Sequence, residues 1–152
     1  MKALVCRAYG LPHTLELAEV NQPQIAADEV LVKVAYCGVN FPDTLLIQNK
    51  YQFKPTLPFS PGGEVAGTVV AVGANTKQIK SGDVAVGLCG WGGFAEYVAI
   101  KAAKVFVLPQ NSNLKAAATT FYNYATAYHA LKDRAQLKAG EKLLVLGAAG
   151  GV

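Results

Sequence analysis

The sequence carries little with which to build a metal site or a disulfide framework: two histidines and three cysteines in 152 residues. Cys6, Cys37 and Cys89 are odd in number, widely spaced, and set among apolar or glycine neighbours. Disulfide frameworks favour an even count, and zinc sites favour tight Cys-x-x-Cys spacing. The three are expected as free, buried or half-buried thiols in a reducing cytoplasm, and only Cys37 is placed to be reactive. No apolar run is long enough to span a bilayer. The opening MKALVCRAYG lacks the apolar core and small-residue cleavage site of a signal peptide and reads as a strand. Charge is also sparse, at 16% of residues, with 14 basic against 10 acidic side chains. The basic residues are scattered, without a run and without aromatic interleaving, which argues against a nucleic-acid face. A hydrophobic content of 52% excludes disorder and supports a real core.

What is present is a series of short strands. Met1 to Ala8, residues 14–20, Glu29 to Gly38, Val65 to Val72, VAVGLC, FAEYVAI and KVFVLP each carry β-branched or alternating apolar residues between turn signals. In the second strand Leu15 and Leu17 are expected on one side. In the third, Val30, Val32, Val34 and Tyr36 are expected to share a face, with Leu31 and Ala35 opposite. Gly67, inside a strong strand, suggests a bulge or tight bend. The pattern predicts an all-β barrel or sandwich. The stretch from Tyr36 to Gly73 organises it: a strand breaks at Cys37-Gly38, and Asn40-Phe41-Pro42-Asp43 opens one or two helical turns. A crossing through Pro55, Pro58 and Pro61 ends at Gly62-Gly63, a pair suited to positive φ or to close approach by a ligand.

At Asn111 the character changes. Asn111 to Leu137 contains neither glycine nor proline, and Ser112 or Asn113 is placed to cap it. Two helical pieces are expected, at 113–119 and 121–135, with Tyr124, Tyr128, Leu131 and Ala135 on one face. Lys142 to Leu146 reads as a fully buried parallel strand. Gly147, Ala148, Ala149, Gly150 and Gly151 follow it directly, a composition that lets a pyrophosphate approach the backbone. The following helix and ribose-reading residue would lie beyond Val152.

Taken together, GVNFPD, PFSPGGEVAGTVVAVG, GDVAVGL, GGFAEYVAI, ATAYHAL and GEKLLVLGAAGGV resemble the medium-chain dehydrogenase/reductase superfamily, and most of all its zinc-free quinone oxidoreductase (zeta-crystallin-like) branch. The resemblance covers essentially the whole chain. It implies a mainly β, α+β protein: a GroES-like, partly open β-barrel with short helices over residues 1–120. Residues 121–152 would then hold a connecting helix and the first strand and phosphate loop of a truncated Rossmann domain. Zinc-dependent relatives carry Cys-His and Gly-His-Glu where this chain has Asn40-Phe41 and Gly62-Gly63-Glu64, and their four-cysteine lobe has no counterpart after Gly87. Asn and Gly do not replace Cys and His as zinc ligands, so no metal is expected.

The resemblance implies a cytoplasmic, NADPH-dependent oxidoreductase that passes hydride to a quinone or an α,β-unsaturated carbonyl, and it is compatible with a homodimer of the full-length protein. An enoyl or alkenal reductase would fit the same scaffold. The chain alone could serve instead as a non-catalytic GroES-like module. Asn40 matches an Asn beside the nicotinamide, Tyr51 a cleft-lining Tyr able to donate to a developing oxyanion, and Thr126 a carboxamide contact. The cofactor would also meet Gly147, Ala148, Gly150, Gly151 and Val152. Each side chain has a plainer role open to it: Asn40 as a helix cap, Tyr51 as packing, Thr126 bonded back to its own helix. Glu64 and Asp43 are candidates for anchoring backbone donors. Trp91 lies in an exposed loop that could cover a substrate, while His13 and His129 are expected to be structural or exposed.

Overall fold

Strands come first because the sequence keeps its β-branched residues in short, turn-bounded runs. The computed structural model describes residues 1–152. β1 (Lys2–Val5) and β2 (Glu16–Glu19) pair antiparallel, with Leu4 opposite Leu17. β3 (Glu29–Gly38), β4 (Glu64–Val72), β5 (Val84–Leu88), β6 (Tyr97–Lys101) and β7 (Val105–Leu108) form a second sheet in the order β6-β3-β4-β5-β7. Every pair in it is antiparallel. β6 and β7 remain edges, so the sheet is open rather than closed on itself.

The expected single alternation along β3 is broken. Register shifts against β4 fall between Leu31 and Val32 and again between Val34 and Tyr36. Val30 and Val32 are buried, but Tyr36 is 48% exposed, because a bulge turns the strand between them. Leu31 is buried as well, so β3 is covered on both faces near its start. Gly67 sits where β4 crosses this kink: a Cβ on it would run into the Lys33 carbonyl oxygen. Leu17, expected on the same side of its strand as Leu15, is 72% exposed.

Val30, Val32, Val65, Val69, Val98 and Ile100 make the centre of the main core. A second cluster joins Cys6, Leu46, Ile47 and Phe59, with Tyr51 and Leu57 packed against it. It seats α1 (Phe41–Leu46), whose Pro42 costs no hydrogen bond in the first turn. α2 (Leu114–Ala117) packs on β3 and β4, capped by Asn113 Oδ1, which accepts from Ala116 N–H at 3.2 Å.

The chain divides into two compact units, Met1–Thr119 and Thr120–Val152. In the second, helical turns of the wider π type (Thr120–Ala125 and His129–Arg134) flank α3 (Thr126–Tyr128). The face expected of Tyr124 and Tyr128 is 71% and 62% exposed at those residues. Lys142–Leu146 is not the buried strand the sequence predicts: it has no strand partner, and Leu144 and Leu146 are more than four-fifths exposed. A parallel strand makes no hydrogen bonds within itself, and this segment has no neighbour to supply them. No helix is long and apolar enough to cross a membrane.

Candidate active site

Of the residues singled out in the first unit, Asn40, Asp43 and the Gly62-Gly63 pair meet at the break between β3 and α1. Asn40 is the N-cap residue, in extended conformation, and α1 begins behind it. Its backbone N–H donates to Asp43 Oδ2 at 2.8 Å, the return arm of a capping box. The other Asp43 oxygen, Oδ1, accepts from the Gly62 N–H at 2.9 Å. One carboxylate, 5% exposed, thus ties the start of α1 to the Gly62-Gly63 crossing. Burial pushes the Asp43 carboxyl up, and the two backbone donors from Asn40 and Gly62 oppose that shift.

Gly62 has φ +92°, and a Cβ there would meet the Phe94 ring at 2.6 Å and Cys37 Sγ at 2.8 Å, so this position demands glycine. Around it the backbone is pinned: Cys89 N–H and Gly90 N–H donate to the Gly63 carbonyl at 2.9 and 3.1 Å, and Gly93 N–H donates to Gly62 O at 2.8 Å. The Cys89 thiol also donates to Gly62 O, at 3.2 Å. The sequence did not show that Cys37 and Cys89 would flank one glycine pair together with Asp43 and Glu64, since 27 residues separate Cys89 from Gly62.

That surrounding reverses the expectation for Cys37. Burial above all, then the negative groups around it, drives its thiol well above the ordinary thiol range. Burial likewise pushes Cys89 up to about 12. Thiols held protonated are poor nucleophiles and poor metal ligands. All three cysteines are free. Glu64 is 0% exposed at the start of β4.

Asn40 supplies the feature of most chemical interest. Its side-chain Nδ2 is buried and has no hydrogen-bond partner. It lies beside Gly38, where a Cβ would come within 3.2 Å of it. Tyr51 follows the other end of α1, half-buried against the second cluster, with its ring edge-on to Phe53 at 5.9 Å. Asn40 and Tyr51 therefore flank a six-residue helix, about 9 Å long at 1.5 Å per residue. Thr126 opens α3 in the second unit and is exposed. There too, Gly150 N–H donates to Gly147 O at 2.9 Å, closing a turn with Gly147 at φ +70°. Gly151 backs onto the Asn123 side chain, whereas Ala148 and Val152 are exposed. His13 lies in a 3₁₀ turn, and His129 Nδ1 contacts Asp133 Oδ2 at 2.8 Å on the helical surface.

An open antiparallel sheet with a short capped helix in the connection between its two longest strands is the architecture of GroES-like catalytic domains. Residues 26–110, over half of the chain, match the family described as the alcohol dehydrogenase GroES-like domain, and the chain belongs to it. It is 40% identical to human quinone oxidoreductase, the alignment covering 100% of this chain and 47% of that protein. A probable oxidoreductase from Mycobacterium abscessus superposes with a TM-score of 0.91 at 38% identity, covering 99% of this chain and 48% of the other. The quinone oxidoreductase from Thermus thermophilus, whose structures include a complex with NADPH, gives 0.84 at 37% identity, covering 99% and 46%. The chain spans about half the length of the curated relatives it matches.

Proposed function

We propose that residues 1–120 form the catalytic domain of an NADPH-dependent, zinc-independent oxidoreductase of the quinone oxidoreductase kind, and that residues 121–152 begin its nucleotide-binding domain. Its acceptor is a quinone or an activated carbonyl or alkene, and the reducing cytoplasm suits its free thiols.

The observation that carries this reading is the orphaned Asn40 Nδ2. A buried donor without a partner costs about 1–3 kcal/mol, and a carbonyl oxygen set against it removes that cost. A nicotinamide carboxamide and a quinone both offer such an oxygen, so the site fits the group that the relatives' names and titles imply. The bound dinucleotide supplies the hydride. Asn40 donates to the carbonyl and fixes its direction. Asp43 holds the Asn40 backbone and Gly62 in register, so the start of α1 is fixed before anything binds. The Tyr51 hydroxyl is assigned to the oxygen that gains charge on reduction. Thr126 and the turn from Gly147 to Val152 are assigned to the cofactor. At the two positions where zinc enzymes carry a cysteine and a histidine this chain has Asn40 and Gly63, and neither an amide nor a glycine replaces a thiolate or an imidazole as a zinc ligand.

The test uses this chain within a protein of the relatives' full length. NADPH should bind, and Asn40→Ala should lower turnover on a quinone about tenfold or more, the equivalent of one lost hydrogen bond. Full turnover in the variant, or indifference of the parent to NADPH, removes the proposal. One equivalent of zinc in the purified protein overturns the metal-free part.

A further inference from the structure

A hollow that Asn40 does not line lies between β1, β6, the Pro58–Ser60 segment and the turn that holds Trp91. Its volume is about 430 Å³, inside the range of roughly 300–1,000 Å³ in which small molecules are held. Ala3 and Val5 of β1 and Tyr97, Val98 and Ala99 of β6 line it. The small side chains at Ala3, Ala95 and Ala99 leave the space open, while Phe59, 7% exposed, is fixed at its margin.

The walls are held before any ligand arrives. Cys6 N–H donates to Phe59 O at 2.7 Å and Phe59 N–H to Cys6 O at 3.1 Å, locking the Pro58–Ser60 segment to the end of β1. Gly92 N–H donates to Ser60 O at 2.7 Å, locking the Trp91 turn to the same segment. Pro23 and Pro58 add lining with fixed φ. Trp91 is nevertheless 43% exposed, a large aromatic surface kept partly in water by a turn between two positive-φ glycines. Polar groups are few: Asn21, Tyr97, the Met1 amino terminus, which donates to Val20 O at 2.8 Å, and Ser60, whose hydroxyl makes only a long 3.4 Å contact to its neighbour's carbonyl.

We infer that this hollow is a binding site for a small, flat, uncharged aromatic molecule of about two fused rings bearing one hydroxyl or carbonyl. The rings lie against Trp91 and Tyr97, and the polar substituent meets Ser60 or Asn21. The volume suits a single small molecule, no charged side chain lines the hollow, and the Met1 ammonium is already held by Val20 O and Glu19. The site needs neither nicotinamide nor Asn40, so it stands or falls separately from the proposed activity.

Trp91 is the only tryptophan in the sequence, so its emission reports the hollow directly. Titration of the 152-residue chain with 2-naphthol should quench Trp91 saturably, and methyl resonances of Val5 and Ala99 should shift along the same isotherm. Ala99→Leu, which fills the space from β6, should weaken binding by about tenfold or more. Linear, non-saturating quenching overturns the proposal, as does an unchanged affinity in Ala99→Leu. If that variant does not fold, the resonance map of the unaltered chain decides: shifts at Leu46 and Ile47 with none at Val5 and Ala99 also overturn it.

Discussion

At the scale of single residues, Asp43 shows how one side chain can set a site it need not touch. Its carboxylate takes one N–H from Asn40 and one from Gly62, nineteen positions away. The first contact was legible, because Asn-x-x-Asp is a helix-start spacing. The second was not, since nothing local says which distant amide will arrive. Asp43→Ala leaves two buried N–H groups unpaired and should destabilise the chain by about 2–4 kcal/mol in urea unfolding. A loss below about 0.5 kcal/mol, the scale of an ordinary surface substitution, would show that water replaces the carboxylate without penalty. Cys89 gives a test with a sign. Its thiol moves from 9.0 to about 12 on folding, through burial. The native state therefore holds the proton more tightly than the unfolded chain does. The stability this contributes is whole below pH 9.0 and is lost as pH rises toward about 12. One proton corresponds to a slope of about 1.4 kcal/mol per pH unit. Cys89→Ala should lose stability less steeply than the parent over that window, and parallel curves would mean that Cys89 titrates normally.

At the scale of elements, strand positions were readable and strand shape was not. The alternation of Glu29–Gly38 located β3 to the residue, because a half-covered antiparallel strand writes its period into the sequence. Its two register shifts left no such mark and exposed Tyr36, which a perfect alternation would have placed with Val30. Gly67 was the one local hint, as a glycine inside a strong strand. The close approach of the Lys33 carbonyl gives it a cause: the kinked β3 needs β4 to lack a Cβ there. Gly67→Ala should destabilise the sheet by about 3 kcal/mol or more, since the obstructing atom is backbone and cannot rotate away. Retained stability, measured by thermal unfolding, would require β3 and β4 to part locally without cost. The candidate site follows the same division. The helix behind Asn40 was legible from Asn40-Phe41-Pro42-Asp43, and Asn40 as a candidate only from the resemblance, whereas the Gly62, Cys37 and Cys89 cluster depends on pairings that only the folded sheet creates.

At the scale of the whole molecule, the two units respond differently to the same composition rules. In the first, apolar runs found partners: Val65 and Val69 are fully buried in β4, between β3 and β5. In the second, Leu143-Leu144-Val145-Leu146 has the composition of a central parallel strand and at least half of every side chain in contact with water. Hydrophobic pattern fixes what a segment would bury, but not whether a neighbour is there to cover it. Backbone exchange reads this difference. Amides from Leu143 to Leu146 have no strand partner and should exchange at nearly unprotected rates, while those of Val65 and Val69 exchange only with global opening. If residues 121–152 begin a nucleotide-binding domain, the same four amides should become protected when the chain is studied at the relatives' full length. Adding NADPH should then slow exchange at Gly150 and Gly151 further. Protection of Leu143–Leu146 in the 152-residue chain alone would mean that the segment already pairs, and equal exposure in both lengths would remove the nucleotide-binding assignment of this unit.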